Sequence, residues 1–285
     1  MSSISVGVVG AGVMGVSLVQ ALIAHGVDTV VHDADPAVLA AVAERVADAD
    51  RLARFATRQA AAGPRGSLRL AAELSGIAGC ALVVENVVED AEVKEELHRA
   101  LDALLAPDAV VAVNTSAVPV SGLALATDHP ERMLGAHFMN PVASSAMVEL
   151  VRTPYTADWA LARIRELLEG LGKESVVVAD AAGFVINRCL MMFVSEAAAL
   201  LDDGVATPEQ VDRLFRGCLG HRTGPLRTAD VIGIDTIVHT LKVLAQHHGP
   251  ERFTPSARLR RMVTAGELGR KTGKGFYHYS AGGTT

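Results

Sequence analysis

Gly10-Ala11-Gly12-Val13-Met14-Gly15 lies between an apolar β-rich run, Ser5 to Val9, and a segment of helical pattern, Val13 to Ala24. Glycines at these spacings allow a tight strand-to-helix turn. They also let the backbone approach a pyrophosphate at the helix N-terminus, where unpaired N–H groups attract anions. Gly10, Gly12, Met14 and Gly15 are therefore candidate cofactor residues. The motif alone is weak, but Asp33 ends the next strand candidate about 20 residues beyond the glycines. A carboxylate there accepts hydrogen bonds from both ribose hydroxyls and repels a 2′-phosphate, which points to NAD(H) over NADP(H). Asp35 could take the place of Asp33, being only two residues away.

Beyond this turn, the first two thirds of the chain alternate short β-rich runs with helical patterns, the signature of a parallel sheet covered by helices. Further strand candidates are Thr29 to His32, Cys80 to Glu85, Val110 to Val113, Met133 to His137, Val148 to Val151 and Ser175 to Ala179. Helical patterns run near Pro36 to Ala61, Ala91 to Leu105 and Asp158 to Leu171. After Asp180 only helical patterns follow, roughly Phe184 to Asp202, Pro208 to Arg216, Pro225 to His247 and Ser256 to Thr264, punctuated by glycine and proline. The expected architecture is an α/β Rossmann-like N-terminal domain with a mostly parallel sheet, residues 1–182, followed by an all-α C-terminal domain, residues 183–285.

Composition supports two domains, since 285 residues at roughly 150 per domain can bury a large core. Half the residues are hydrophobic and 20% are charged, which excludes a disordered chain. A net charge of -6 lacks the basic footprint of a general nucleic-acid binder. Cys80, Cys189 and Cys218 show neither paired nor metal-ligand spacing, so buried free thiols and no metal are expected. There is no cationic leader before the first apolar run. The most apolar later stretch, Gly183 to Leu201, is interrupted by Asn187, Arg188 and Glu196. A cytoplasmic protein without nucleic-acid or membrane partners is the expectation.

Several separated motifs share one further property. They are Val84-Glu85-Asn86-Val87-Val88-Glu89, Lys94, Asn114-Thr115-Ser116, Gly135-Ala136-His137-Phe138-Met139-Asn140-Pro141 and Glu149. Then come Gly183-Phe184-Val185-Ile186-Asn187-Arg188, Gly224-Pro225, Asp230, Gly233-Ile234-Asp235-Thr236 and Lys271-Thr272-Gly273-Lys274-Gly275-Phe276-Tyr277. In this order they resemble the L-3-hydroxyacyl-CoA dehydrogenase family, including short-chain 3-hydroxybutyryl-CoA dehydrogenases, over nearly the whole chain. The resemblance implies NAD-dependent interconversion of an L-3-hydroxyacyl thioester and its 3-oxoacyl form. It makes His137 the catalytic base and Glu149 its partner, and it sets Ser116 and Asn187 at the reacting oxygen. Asn140 would lie near the nicotinamide, with Glu89 and Lys94 around the ribose and nicotinamide side. An imidazole suits removal of a hydroxyl proton while hydride leaves the same carbon. The family's helical domain closes the cleft, places Asn187 opposite the histidine and supplies a homodimer interface.

Two places depart from the family pattern. Between Asn140-Pro141 and Glu149 the chain reads Val142-Ala143-Ser144-Ser145-Ala146-Met147-Val148, with two serines and no cation, which suggests a small, polar acyl pocket. Arg51, Arg54 and Arg58 share one helix face and suit the phosphates of CoA or of a carrier protein's phosphopantetheine, or form a solvated surface. Acyl carrier protein is thus an alternative to CoA, as in polyketide-pathway relatives that oxidise carrier-bound β-hydroxyacyl groups. A free hydroxy acid, as in gulonate and carnitine dehydrogenase relatives, is a second alternative, with Arg222 and Arg227 as candidate anion contacts. A third is a non-catalytic nucleotide-binding structural protein.

Overall fold

In this computed structural model residues 5–57 and 64–279 are described, 53–57 by their backbone alone. The chain divides into two compact units at Ala181 and Ala182. In the first unit eight strands form one sheet: β1 (Val6–Val9), β2 (Thr29–His32), β3 (Leu68–Ala71), β4 (Leu82–Glu85), β5 (Val110–Val113), β6 (Met133–His137), β7 (Met147–Arg152) and β8 (Glu174–Ala179). Their order is β3-β2-β1-β4-β5-β6-β7-β8. Helices α1 (Val13–Ala24), α2 (Pro36–Ala40), α3 (Val42–Thr57), α4 (Ala91–Leu104), α5 (Val120–Ala124) and α6 (Asp158–Gly170) connect them. β1, β4 and β5 are buried at every residue, as expected of parallel strands covered on both faces.

All neighbouring strands pair in parallel except β6 and β7. The cause is local. A parallel return needs a crossover of about a dozen residues or more, usually a helix, whereas the link from β6 to β7 holds only a 3-10 turn at Val142–Ser144. The chain therefore turns straight back. In the interior of the sheet the strand order reverses between β1 and β4, the switch point beside which open α/β sheets bind ligands.

Some elements differ from expectation. β3 was not foreseen: it is four residues long at the sheet edge, with Arg69 and Leu70 exposed, so it lacks the apolar run that marks a central strand. The long helical pattern from Pro36 is divided at Ala41, where Asp35 caps α2 and Val42 opens α3 fully buried.

The second unit contains α7 (Ile186–Asp202), α8 (Pro208–Leu219), α9 (Pro225–Ile232), α10 (Ile234–His248), α11 (Pro250–Phe253) and α12 (Ala257–Thr264). Met191, Val194, Leu226, Ile237, Leu241, Phe253 and Leu259 form its core. The helix expected from Pro225 to His247 is two helices, because Gly233 sits at φ 103, which no helical residue adopts. The one expected from Phe184 begins at Ile186, after left-handed Gly183 and Phe184.

Two buried aspartates tie the C-terminal segment to these helices. Asp212 accepts from the Leu226 and Arg227 N–H groups and from the Tyr277 hydroxyl, and Asp230 accepts from the Phe276 and Tyr277 N–H groups and the Tyr279 hydroxyl. Burial raises the Asp230 carboxyl despite these donors, and burial together with Asp230 pushes the Tyr279 phenol up to about 12. Gly224 and Gly275 are small because a Cβ on either would strike one of these carboxylates.

Of the thiols, Cys80 is buried as expected, but Cys189 and Cys218 are exposed on the outward faces of α7 and α8, contrary to expectation. Among the described residues no helix is long and apolar enough to cross a membrane.

Candidate active site

The glycine turn leaves β1 beside β4. Gly10 sits at φ +91, and a Cβ there would lie 2.7 Å from the carbonyl carbon and oxygen of Asn86, so only glycine fits. Gly15 is excluded from bearing a side chain by the carbonyl of Gly10. At Gly12 the reverse holds: a Cβ would meet nothing within 4 Å, so it would project into open space before α1. The first turn of α1 has no side-chain cap, which leaves its N–H groups to serve an anion. Met14 is half-buried and packs against the sheet core, so it lines the turn from the protein side.

The structure separates the two candidate aspartates. Asp33 Oδ2 accepts from Ala11 N at 2.7 Å and Oδ1 from Asp35 N at 2.9 Å. A carboxylate offers about four acceptor positions. Two go to backbone, and one per oxygen remains, the number a ribose diol needs. Asp35 instead spends its Oδ1 on Ala37 N as the cap of α2. Arg45 on α3 donates to the Ala11 carbonyl at 2.7 Å and braces the turn from the other side, a role that no local motif announced. Open space at Gly12, uncapped N–H groups and a pre-aligned carboxylate fit an NAD dinucleotide.

The antiparallel pairing of β6 with β7 sets His137 directly opposite Glu149. Directly opposed residues project to the same face of the sheet. His137 Nδ1 accordingly lies 3.0 Å from Glu149 Oε2, with both side chains buried. An ionised carboxylate can only accept, so Nδ1 is the donor of this pair. Nε2 points to Ser116 Oγ, 3.4 Å away. Three residues from β6, β7 and the loop after β5 are thus brought together.

The loop carrying Ser116 is held by Glu89, whose Oε1 accepts from Thr115 Oγ1 at 2.5 Å, Ser116 N at 2.8 Å and Ala117 N at 3.0 Å. Beside it two asparagines knit the strand ends: Asn114 donates to Asn86 Oδ1 and accepts from Phe138 N. Both lay within recognised motifs, but nothing in the sequence marked them as partners.

Lys94 is fully buried, its side chain 0% exposed. The ammonium lies 2.8 and 3.0 Å from the two Glu85 oxygens and 3.6 Å from Glu89 Oε2. His98 Nε2 also donates to Glu85, and His98 Nδ1 has no hydrogen-bond partner. Burial alone would raise the Glu85 carboxyl, but the His98 hydrogen bond and the Lys94 charge outweigh it and hold the group below its ordinary range.

Asn140 is exposed in the loop after β6. The serine-containing stretch that follows lacks a cation of its own, yet one reaches it from the turn before β8. Lys173 Nζ, buried, donates to the carbonyls of Val142 and Ser145 at 2.6 Å each, and burial lowers its basicity. Val142 N donates to Ser17 Oγ on α1. Ser145 Oγ donates to the Met147 carbonyl, while Ser144 is exposed. Asn187 belongs to the second unit, buried in the first turn of α7. Arg51 is exposed and paired with Asp48; the Arg54 side chain and Arg58 lie outside the described residues. Arg222 is exposed, and Arg227 stacks over the Tyr277 ring at 4.4 Å.

Comparison with known proteins gives a consistent result. Residues 5–181 match the family model for the 3-hydroxyacyl-CoA dehydrogenase NAD binding domain, and residues 183–279 match that for the C-terminal domain of the same family. A probable 3-hydroxybutyryl-CoA dehydrogenase of Deinococcus radiodurans is 37% identical over 277 residues, covering 96% of this chain and 99% of that protein. A 3-hydroxybutyryl-CoA dehydrogenase of Mycobacterium tuberculosis is 38% identical over 279 residues, covering 96% and 98%. Among solved structures, Mycobacterium tuberculosis FadB2 superposes with a TM-score of 0.92 at 37% identity, covering 98% of this chain and 100% of that one. The (S)-3-hydroxybutyryl-CoA dehydrogenase PaaH1 of Ralstonia eutropha gives 0.89 at 33% identity, covering 98% and 100%.

The buried cluster under the Ser116 loop makes a pH prediction. Because the folded Glu85 carboxyl lies below its ordinary value of 4.5, its stabilisation is complete above that pH and is lost as pH falls through the folded value. Glu85→Gln strands the Lys94 charge and is expected to cost about 3–5 kcal/mol at pH 7. Urea unfolding at pH 7 and pH 4 should show that loss, together with a shallower acid decline than in the parent protein.

Proposed function

The chain belongs to the 3-hydroxyacyl-CoA dehydrogenase family, whose members are NAD-dependent oxidoreductases, and on that premise we propose that it interconverts a short L-3-hydroxyacyl-CoA and the 3-oxoacyl thioester. The observation that carries this reading is the buried His137–Glu149 pair, with the distal imidazole nitrogen, Nε2, aimed at Ser116. A bound NAD⁺ would supply the hydride acceptor for the alcohol carbon. In that direction His137 Nε2 takes the hydroxyl proton, and Glu149 stabilises the imidazolium that results and keeps the ring from turning. Ser116 Oγ hydrogen-bonds the reacting oxygen, and the Asn187 amide supplies a second donor to it. In the reverse direction the same imidazolium returns the proton to the 3-oxo group.

Asp33 holds the adenosine ribose, the α1 N-terminus and glycine turn hold the pyrophosphate, and Asn140 and Glu89 serve the nicotinamide side. We assign the helical unit to closing over substrate and to forming a homodimer. Leu214 and Leu219 on α8 and Val231 on α9 are exposed apolar residues that such an interface would cover. A sedimentation mass of twice 29.8 kDa is the expected result.

His137→Gln should lower turnover by about 10²–10⁴-fold, the range of a general base, while NADH still binds with parental affinity in a fluorescence titration. Retained turnover would sink the reading. From the two serines of Val142–Met147 we infer a small, polar acyl pocket, and each methylene added to a substrate gains its ~0.8 kcal/mol only in a dry pocket. In an NADH-oxidation screen, acetoacetyl-CoA should therefore show higher kcat/KM than long-chain 3-oxoacyl-CoA. The same acetoacetyl group on an acyl carrier protein should turn over more slowly than on CoA.

A further inference from the structure

We propose that Glu89 is a positioning residue for Ser116, held in place by the buried Lys94–Glu85 pair, so that turnover depends on this carboxylate through the serine. The inference rests on the reading of Ser116 and His137 given above.

Three donors converge on one oxygen. Thr115 Oγ1, Ser116 N and Ala117 N all bond Glu89 Oε1 within 3.0 Å, and Thr115 Oγ1 in turn accepts from Val118 N. A single acceptor shared by three consecutive residues fixes the path of the loop, and with it the direction in which Ser116 Oγ leaves the backbone. The other oxygen, Oε2, faces the Lys94 ammonium at 3.6 Å. That ammonium cannot shift toward solvent, because it is fully buried and bonded to both Glu85 oxygens at the end of β4. Position is thus passed from β4 to Lys94, from Lys94 to Glu89, and from Glu89 to the loop after β5. The final link is the 3.4 Å approach of Ser116 Oγ to His137 Nε2. Misplacement of a substrate-holding group by about 1 Å can cost ~10²-fold in rate, so this chain of contacts has something to protect. Glu89 keeps 32% of its side chain exposed, so a cofactor contact by the same residue is sterically compatible.

The two roles separate in a double-mutant cycle read in kcat at saturating cofactor. Glu89→Ala alone is expected to lower kcat about ten- to hundred-fold, with a smaller change in KM for the thioester. In a Ser116→Ala background the same substitution should lower kcat by less than about three-fold, since the group it positions is gone. Glu89→Gln, which keeps an acceptor oxygen at the same place, should recover most of the loss. Should Glu89→Ala melt below the assay temperature, Thr115→Val removes one of the three donors and enters the same cycle with the same expected non-additivity. Effects of Glu89→Ala and Ser116→Ala that multiply would overturn the proposal, as would a Glu89→Ala protein with parental kcat and only weaker NADH binding. Retained turnover in His137→Gln would instead overturn the underlying reading of the site, so the two failures are distinct.

Discussion

The pairing of one antiparallel strand with an otherwise parallel neighbour is the constraint on which the site depends. β6 and β7 are joined by too little chain for a crossover, so they must run in opposite senses, and their register puts His137 across from Glu149. The contact is made by backbone hydrogen bonds before any side chain takes part. The imidazole then inherits its orientation and its proton placement from the sheet. A side chain held this way has little conformational freedom left to lose, because folding has already ordered it.

Behind that pair the molecule places charge where solvent cannot reach. Glu85, Lys94 and His98 are all buried at the base of the Ser116 loop. Such clusters are weak contributors to net stability, since desolvation offsets most of the attraction between the charges. They are severe when broken, because a lone buried ion has nothing to replace its partner. The value of this arrangement lies in geometry: ammonium and carboxylates fix one another and the loop with a directionality that apolar packing lacks.

Much of the fold was legible because its cues are local. The β-rich runs at Thr29–His32, Val110–Val113 and Met133–His137 coincide with strands, and the glycine turn sits where a dinucleotide turn should. β3 was missed because a short, half-exposed edge strand needs no apolar run. The helix pattern after Pro225 was read through Gly233 because periodicity is blind to one left-handed residue. Within the site, His137, Glu149 and Ser116 were named from motif order, and the structure adds how they meet. Lys94 entered from motif order alone, and only the tertiary structure shows Glu85 and Glu89 closing over it. Arg45 and Lys173 carried no local cue, since each acts on a backbone carbonyl far away in sequence.

The way Lys173 and Ser17 grip the segment after Pro141 has an evolutionary corollary. Beside the buried Val142 side chain, the polar anchors from Lys173 and Ser17 are all to main chain: the Val142 N–H and the Val142 and Ser145 carbonyls. Peptide groups are alike whichever amino acid bears them. Ala143, Ser144 and Ala146 can therefore be exchanged without unfastening the loop, which makes it a replaceable cassette whose chemistry drifts while its course stays put. Substitution at those positions would alter the surface this segment presents to its surroundings and leave the His137–Glu149 pair untouched.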